Sequence, residues 1–166
     1  MAMNKYLSII TLNVNGLNAP IKRHRIAEWI RKHDPHKCCL QETHLRTKDL
    51  HRLKVKSKKN IFQANRQEKK AGVTILISDK IDFQRRAIKR DPEGHFKILK
   101  GRIHQEDINI ANTYAPNIGA PKYIKKTLED INKDIDSNII IGGDFNTHCQ
   151  KWTGFPNKIS RRILCH

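Results

Sequence analysis

The chain has 166 residues, long enough for one domain with a sizeable core; 37% are hydrophobic and 30% charged, which excludes both a membrane protein and a disordered tail. Lys and Arg number 33 against 16 acids, a formal charge of +17. That excess points to a polyanionic partner, nucleic acid first, because each neutralised phosphate releases counterions.

Tyr6 to Leu12 is apolar and β-branched and reads as a buried strand. Ile26, Trp29 and Ile30 mark the inner face of a helix from about Lys22 to Lys32, ended by Asp34-Pro35. A buried strand begins at Cys38 to Leu40 and runs into Gln41-Glu42. Gly72 to Ser78 is a third strand. Phe83 to Ile88, Phe96 to Ile103 and Ile108 to Tyr114 alternate in the manner of antiparallel strands. A second helix begins at Pro121 and sets Ile124, Leu128, Ile131 and Ile135 on one face. Asn138 to Ile141 is a last strand. From His148 the periodicity stops, and Trp152, Gly154 and Pro156 read as a loop or frayed terminus. Two strand–helix–strand units around a meander imply an α/β sandwich with its helices outside.

Four of these strands end on polar side chains: Asn13, Glu42, Tyr114, and Asp144 with Asn146. Meeting at one rim, they would place two carboxylates, two amides and a phenol in one cleft. Such an oxygen-rich set suits Mg²⁺, with Mn²⁺ as the alternative. Taken singly each group has an ordinary reading: a turn at Asn13 to Gly16, a solvated Glu42, a core Tyr114, an Asx turn at Asp144. Only their shared position at strand ends favours a site. The cysteines Cys38, Cys39, Cys149 and Cys165 form no CxxC pair. They read as reduced thiols, so neither a zinc site nor a disulfide-linked partner is expected.

The segments TLNVNGLN, CCLQETHL, KKAGVTILIS, IKRDPEGHF, NTYAPNIGAP and IIGGDFNT occur in that order between positions 11 and 147. Together they resemble the endonuclease domain of LINE-type retrotransposons, part of the endonuclease/exonuclease/phosphatase superfamily that includes DNase I. The resemblance implies a DNase I-like α/β sandwich of two mixed sheets flanked by helices. It also implies Mg²⁺-dependent nicking of DNA. Glu42 resembles the family's metal-ligating glutamate, and Asn13 the asparagine that helps hold metal and scissile phosphate. Tyr114 is similar to the tyrosine that touches the phosphate. Asp144 resembles the aspartate that orients or deprotonates the attacking water, and Asn146 the amide that steadies the transition state.

The resemblance further implies two later motifs, an aspartate in an IDHI-like strand and a closing Ser-Asp-His, that this sequence does not contain. Residues 1–147 are therefore read as a partial domain, incomplete at its C-terminus, and 148–166 as a divergent, frameshifted tail. Turnover is expected to be impaired. A non-catalytic nucleic-acid binder and a retroelement remnant without a selected role are the competing readings.

Arg52, Lys54, Lys56 and Lys58 alternate with Leu53, Val55 and Ser57, which in an extended segment puts four cations on one side. They either track a phosphate backbone or form a solvated edge that blocks strand pairing. Lys69 and Lys70 are further candidates for binding DNA, with RNA as a second nucleic-acid partner. No apolar run approaches the roughly 20 residues of a membrane span, and the N-terminus lacks a secretory signal. An intracellular protein, nuclear or cytoplasmic, is expected.

Overall fold

The computed structural model describes residues 7–58, 60–64, 72–91, 96–116, 118–134, 138–145 and 161–165. The strands are β1 (Ile9–Asn13), β2 (Lys37–Gln41), β3 (Asn60–Ala64), β4 (Val73–Ile77), β5 (Phe83–Arg90), β6 (Phe96–Ile103), β7 (Glu106–Tyr114), β8 (Ile139–Asp144) and β9 (Arg161–Cys165). The helices are α1 (Pro20–His33) and α2 (Ala120–Asp134), with a short 3-10 helix over Thr47–Arg52. One sheet has the order β1-β2-β4-β3 and the other β5-β6-β7-β8-β9. Both are mixed: β1 runs parallel to β2, and β7, β8 and β9 run parallel, while the other neighbours are antiparallel.

The alternation of side chains along β2 assembles the layers. Cys38 and Leu40 face outward and pack with Leu17 and Ile30 beneath α1. Cys39 faces the other way, joining Ile75, Ile77, Leu99, Ile103 and Ile110 between the sheets. Under α2, Ile124, Leu128 and Ile131 pack on Ile98, Ala111, Ile139 and Ile141. The result is helix, sheet, sheet, helix, the DNase I-like sandwich expected from the sequence.

Pro20 opens α1, where its missing N–H costs nothing. Asp34 closes it in the left-handed region, donating its N–H to Ile30 O at 2.8 Å, and Arg31, Lys32 and His33 in the last turn suit the helix dipole. The helix buries Ile30 fully. Trp29, expected inside, is instead 37% exposed and lies against the His33 ring, centroids 4.2 Å apart.

Three further details differ from the sequence reading. β1 lies at a sheet edge, and its residues are half-buried rather than buried. The 3-10 helix and β3 carry no clean two- or three-residue periodicity and were not anticipated. Residues 161–165, expected in a loop or frayed end, form β9 alongside β8 with Ile141 opposite Ile163. An open β8 edge offers an unpaired ladder of backbone groups, which decides the conformation of a short Ile-Leu segment more strongly than local pattern does. Ile135, on the expected face of the second helix, lies outside the described residues.

Two buried polar features cross the middle of the sandwich. Asn112 of β7 donates through Nδ2 to Leu40 O (3.0 Å) and Thr74 O (2.9 Å) in the opposite sheet. Its Oδ1 accepts from Gln41 Nε2 at 2.8 Å, and Gln41 also donates to Thr11 Oγ1 and Cys39 O. Asn112 and Gln41 are both fully buried. Lys37, also fully buried, has no acceptor for its Nζ among the described residues. Desolvation lowers its pKa from 10.5 to about 8, partly opposed by Cys39.

Asn112→Ala removes three buried hydrogen bonds at once and is expected to cost about 2–4 kcal/mol in denaturant unfolding. A loss under roughly 0.5 kcal/mol, the scale of a surface change, would contradict the tie. Lys37→Met is expected to stabilise the fold at pH 7 by on the order of 3 kcal/mol. Between about pH 8 and 10.5 the lysine binds a proton only in the unfolded chain, so wild-type stability gains from rising pH in that window. The advantage of Lys37→Met should therefore shrink across it. A pH-independent difference would contradict this assignment.

Candidate active site

The parallel pairs bring the four polar strand ends together. β1 and β2 end side by side, Asn13 opposite Gln41, and β7 and β8 end with Tyr114 opposite Asp144. Beyond the ladders the chains stay coupled. Val14, Gly16 and Leu17 donate their N–H groups to the carbonyls of Gln41, Glu42 and Thr43 at 3.0, 2.6 and 2.9 Å. Ala115 N–H bonds Asp144 O at 2.8 Å.

Two glycines permit this closeness. A Cβ on Gly143 would lie 2.1 Å from Thr113 O, so only glycine lets β8 seat Asp144 beside Tyr114. Gly16, at φ +84°, occupies the left-handed region, and a Cβ there would sit 3.1 Å from the His44 ring. Asn15 (φ 45°), Glu42 (φ 52°) and His44 (φ 53°) share the left-handed region. Four of the ten positive-φ residues among the described ones thus lie just beyond β1 and β2.

Asn13 is the hub. Its Nδ2 donates to Glu42 Oε1 at 2.8 Å and to Asp144 Oδ2 at 2.7 Å. Its Oδ1 accepts the Asn15 N–H at 2.9 Å, an Asx turn that fixes which end of the amide faces the carboxylates. Two acids on different sheets are therefore close enough to share one donor. Tyr114 hydrogen-bonds Glu42, and its hydroxyl pKa is raised to about 12, by burial first and then by the charges of Glu42 and Asp144. The phenol accordingly stays protonated at neutral pH and serves as a donor.

Glu42, Asn13, Tyr114 and Asp144 thus share one rim. Asn146 lies outside the described residues, as do Lys69 and Lys70. The donor chemistry fits a hard divalent ion, for which Glu42 and Asp144 would supply carboxylate oxygens. Asn13, as oriented, presents N–H groups rather than an oxygen. Among the described residues no group of three His, Cys, Asp or Glu side chains gathers at one point, so water or substrate oxygens would complete such a shell.

The basic segment behaves differently at its two ends. Arg52, Lys54 and Lys56 are exposed while Leu53 and Val55 are buried, so that part of the alternation holds. Lys58 corrects it. Its side chain is buried, with Nζ 2.9 Å from Asp34 Oδ1, and Lys80 holds the other Asp34 oxygen. The two ammonium groups, Lys80 first, pull the Asp34 pKa down to about 2. An amine committed to that pair cannot reach a phosphate. Sequence spacing could not show this, because the partner is 24 residues away.

Sequence reading passed over three residues. His44 Nε2 stands 3.8 Å from Glu42 Oε2, and Gln41 and Asn112 support the rim from below. All three lie inside QETH and NTY, the segments already singled out, so motif membership was the available signal.

Comparison with known proteins agrees with this architecture. Residues 10–164 match the model of the Endonuclease/Exonuclease/phosphatase family. The chain is 29% identical over 145 residues to the Transposon TX1 uncharacterized 149 kDa protein of Xenopus laevis, covering 84% of this chain and 11% of that protein. It therefore spans only a small part of that relative's length. Among solved structures it resembles truncated Caenorhabditis elegans TDP2, with TM-score 0.64 and 20% identity over 91% of this chain and 66% of the other. It also resembles D. rerio TDP2 complexed with single strand DNA product, with TM-score 0.69 and 17% identity over 87% of this chain and 62% of the other. On the extent of the family match, the chain belongs to the endonuclease/exonuclease/phosphatase family.

Proposed function

We propose that the rim is the metal- and phosphate-holding part of a DNA-nicking centre that hydrolyses phosphodiester bonds. The observation that carries this is Asn13 bridging Glu42 and Asp144, one acid from each sheet. The net charge of +17 and exposed Arg52, Lys54 and Lys56 support DNA as the substrate.

Hydrolysis needs an activated water, stabilisation of growing negative charge, and donors aimed at the phosphoryl oxygens. Glu42 would hold Mg²⁺, or Mn²⁺ in its place; when bound, the ion supplies Lewis acidity toward the phosphate. Asp144 would orient the attacking water and accept its proton. Tyr114, kept protonated, would donate to a non-bridging oxygen, and Asn13 would hold the two acids in register. Asn146 is proposed as the amide that steadies the transition state, and Lys69 and Lys70 as further backbone contacts. A basic binder without turnover is the second reading, favoured by the same charge.

Nicking of supercoiled plasmid with Mg²⁺ tests the proposal. Glu42→Ala and Asp144→Ala are each expected to lower the rate by about 10²-fold or more. Equal nicking by the parent chain and both variants would mean that the activity does not come from this rim.

A further inference from the structure

Where β1 and β2 begin, at the opposite end from the rim, a serine and a histidine face each other. Ser8 immediately precedes β1 and His36 immediately precedes β2. Ser8 is separated from Asn13 by the length of β1, roughly 16 Å of extended chain, and the proposed nicking chemistry uses neither residue.

Parallel pairing explains why the two meet. Ile9 lies opposite Lys37, which sets the preceding residues level with each other. Lys37 N–H donates to Ser8 O at 3.1 Å, and on the other side Ser78 N–H donates to His36 O at 2.9 Å. The backbone that carries the imidazole is thus held from the start of β1 and from the end of β4.

The remaining hydrogen bonds decide which atom carries the proton. Ser8 N–H donates to His36 Nδ1 at 3.1 Å. A ring nitrogen that accepts from a backbone N–H presents its lone pair there, so neutral His36 carries its proton on Nε2. The Ser8 hydroxyl, 2.8 Å from the same Nδ1, must then be a donor to it. Ser8 Oγ in turn accepts the His36 N–H at 3.0 Å. The oxygen therefore points its proton at a base and receives a hydrogen bond that favours its charged form. Ser8 is exposed while His36 is half-buried, so the oxygen is open to a reagent and the ring is held.

We infer that Ser8 is a nucleophile, activated by His36, that accepts an acyl group from an activated carboxylic ester. Ser8 Oγ attacks the carbonyl carbon, and its proton passes to His36 Nδ1. The ester C–O bond then breaks, the leaving alcohol takes up that proton, and the acyl group stays on Oγ. Ester and serine become alcohol and acyl-serine, with no oxidant or reductant needed.

The test treats the full chain with p-nitrophenyl acetate and locates the acetyl group by mass spectrometry of proteolytic fragments. Ser8 is expected to be acetylated at least about 10²-fold faster in the folded chain than in the same chain unfolded in urea. His36→Asn keeps an oxygen acceptor for the Ser8 N–H but supplies no base. It is expected to lower the Ser8 rate by a similar factor, with a thermal melt showing that the variant is folded. Ser8→Ala should remove the label from this segment. Ser8 reacting no faster in the folded chain than in urea would overturn the inference and leave the pair as a clamp between two strands. So would an unchanged rate in folded His36→Asn, or a label persisting in Ser8→Ala. The comparison of folded with unfolded parent chain decides the matter even if a variant does not fold.

Discussion

The hydrogen bonds between Asn112 and the opposite sheet fix how the two halves of this protein face each other. Apolar packing between sheets is non-directional and tolerates sliding by a residue or two. A buried amide that must satisfy Leu40 O, Thr74 O and Gln41 Nε2 together does not. The partner of that tie, Gln41, immediately precedes Glu42, and Asn112 lies two residues before Tyr114. The alignment of the sheets therefore sets the distance between a carboxylate on one and a phenol on the other.

From that alignment the rest of the rim follows. Parallel pairing of β7 with β8 puts Asp144 opposite Tyr114, and Gly143 lets the strands close enough for it. Asn13 then has both acids in reach of one nitrogen. Two carboxylates this near would repel without a shared partner, and the Asn13 amide supplies one. The same arrangement, acid against acid around a donor, is what a hard cation would find attractive. Structure and proposed chemistry meet on this point: the protein holds two carboxylates together around one amide donor.

Much of this was legible in the sequence. Among the described residues, the two helices and seven of the nine strands follow from periodicity and from their Pro, Gly and Asp punctuation, and the four strand-end residues follow from where apolar runs stop. What escaped notice has physical causes. β3 and the 3-10 helix are stabilised by neighbours rather than by their own pattern, and β9 by the exposed edge of β8. Lys37 lies just before the apolar run that marks this strand, yet β2 begins at it, is buried on both faces and takes it inside. Lys58 reads as the last member of a basic stripe, yet the chain turns there and Asp34 captures it. Gln41 and Asn112 lie 71 positions apart, and only the packing of the second sheet on the first reveals that they bond to each other. Long-range partners are what local pattern cannot supply.

The central claim is that Glu42 and Asp144 form one oxygen-rich seat held by Asn13. Crystals of the chain soaked in Mn²⁺ test it through anomalous scattering. The account predicts a single strong peak within coordination distance, roughly 2.0–2.4 Å, of a Glu42 oxygen and on the Asp144 side of it. A peak bound elsewhere, with Glu42 and Asp144 both uncoordinated, would contradict it.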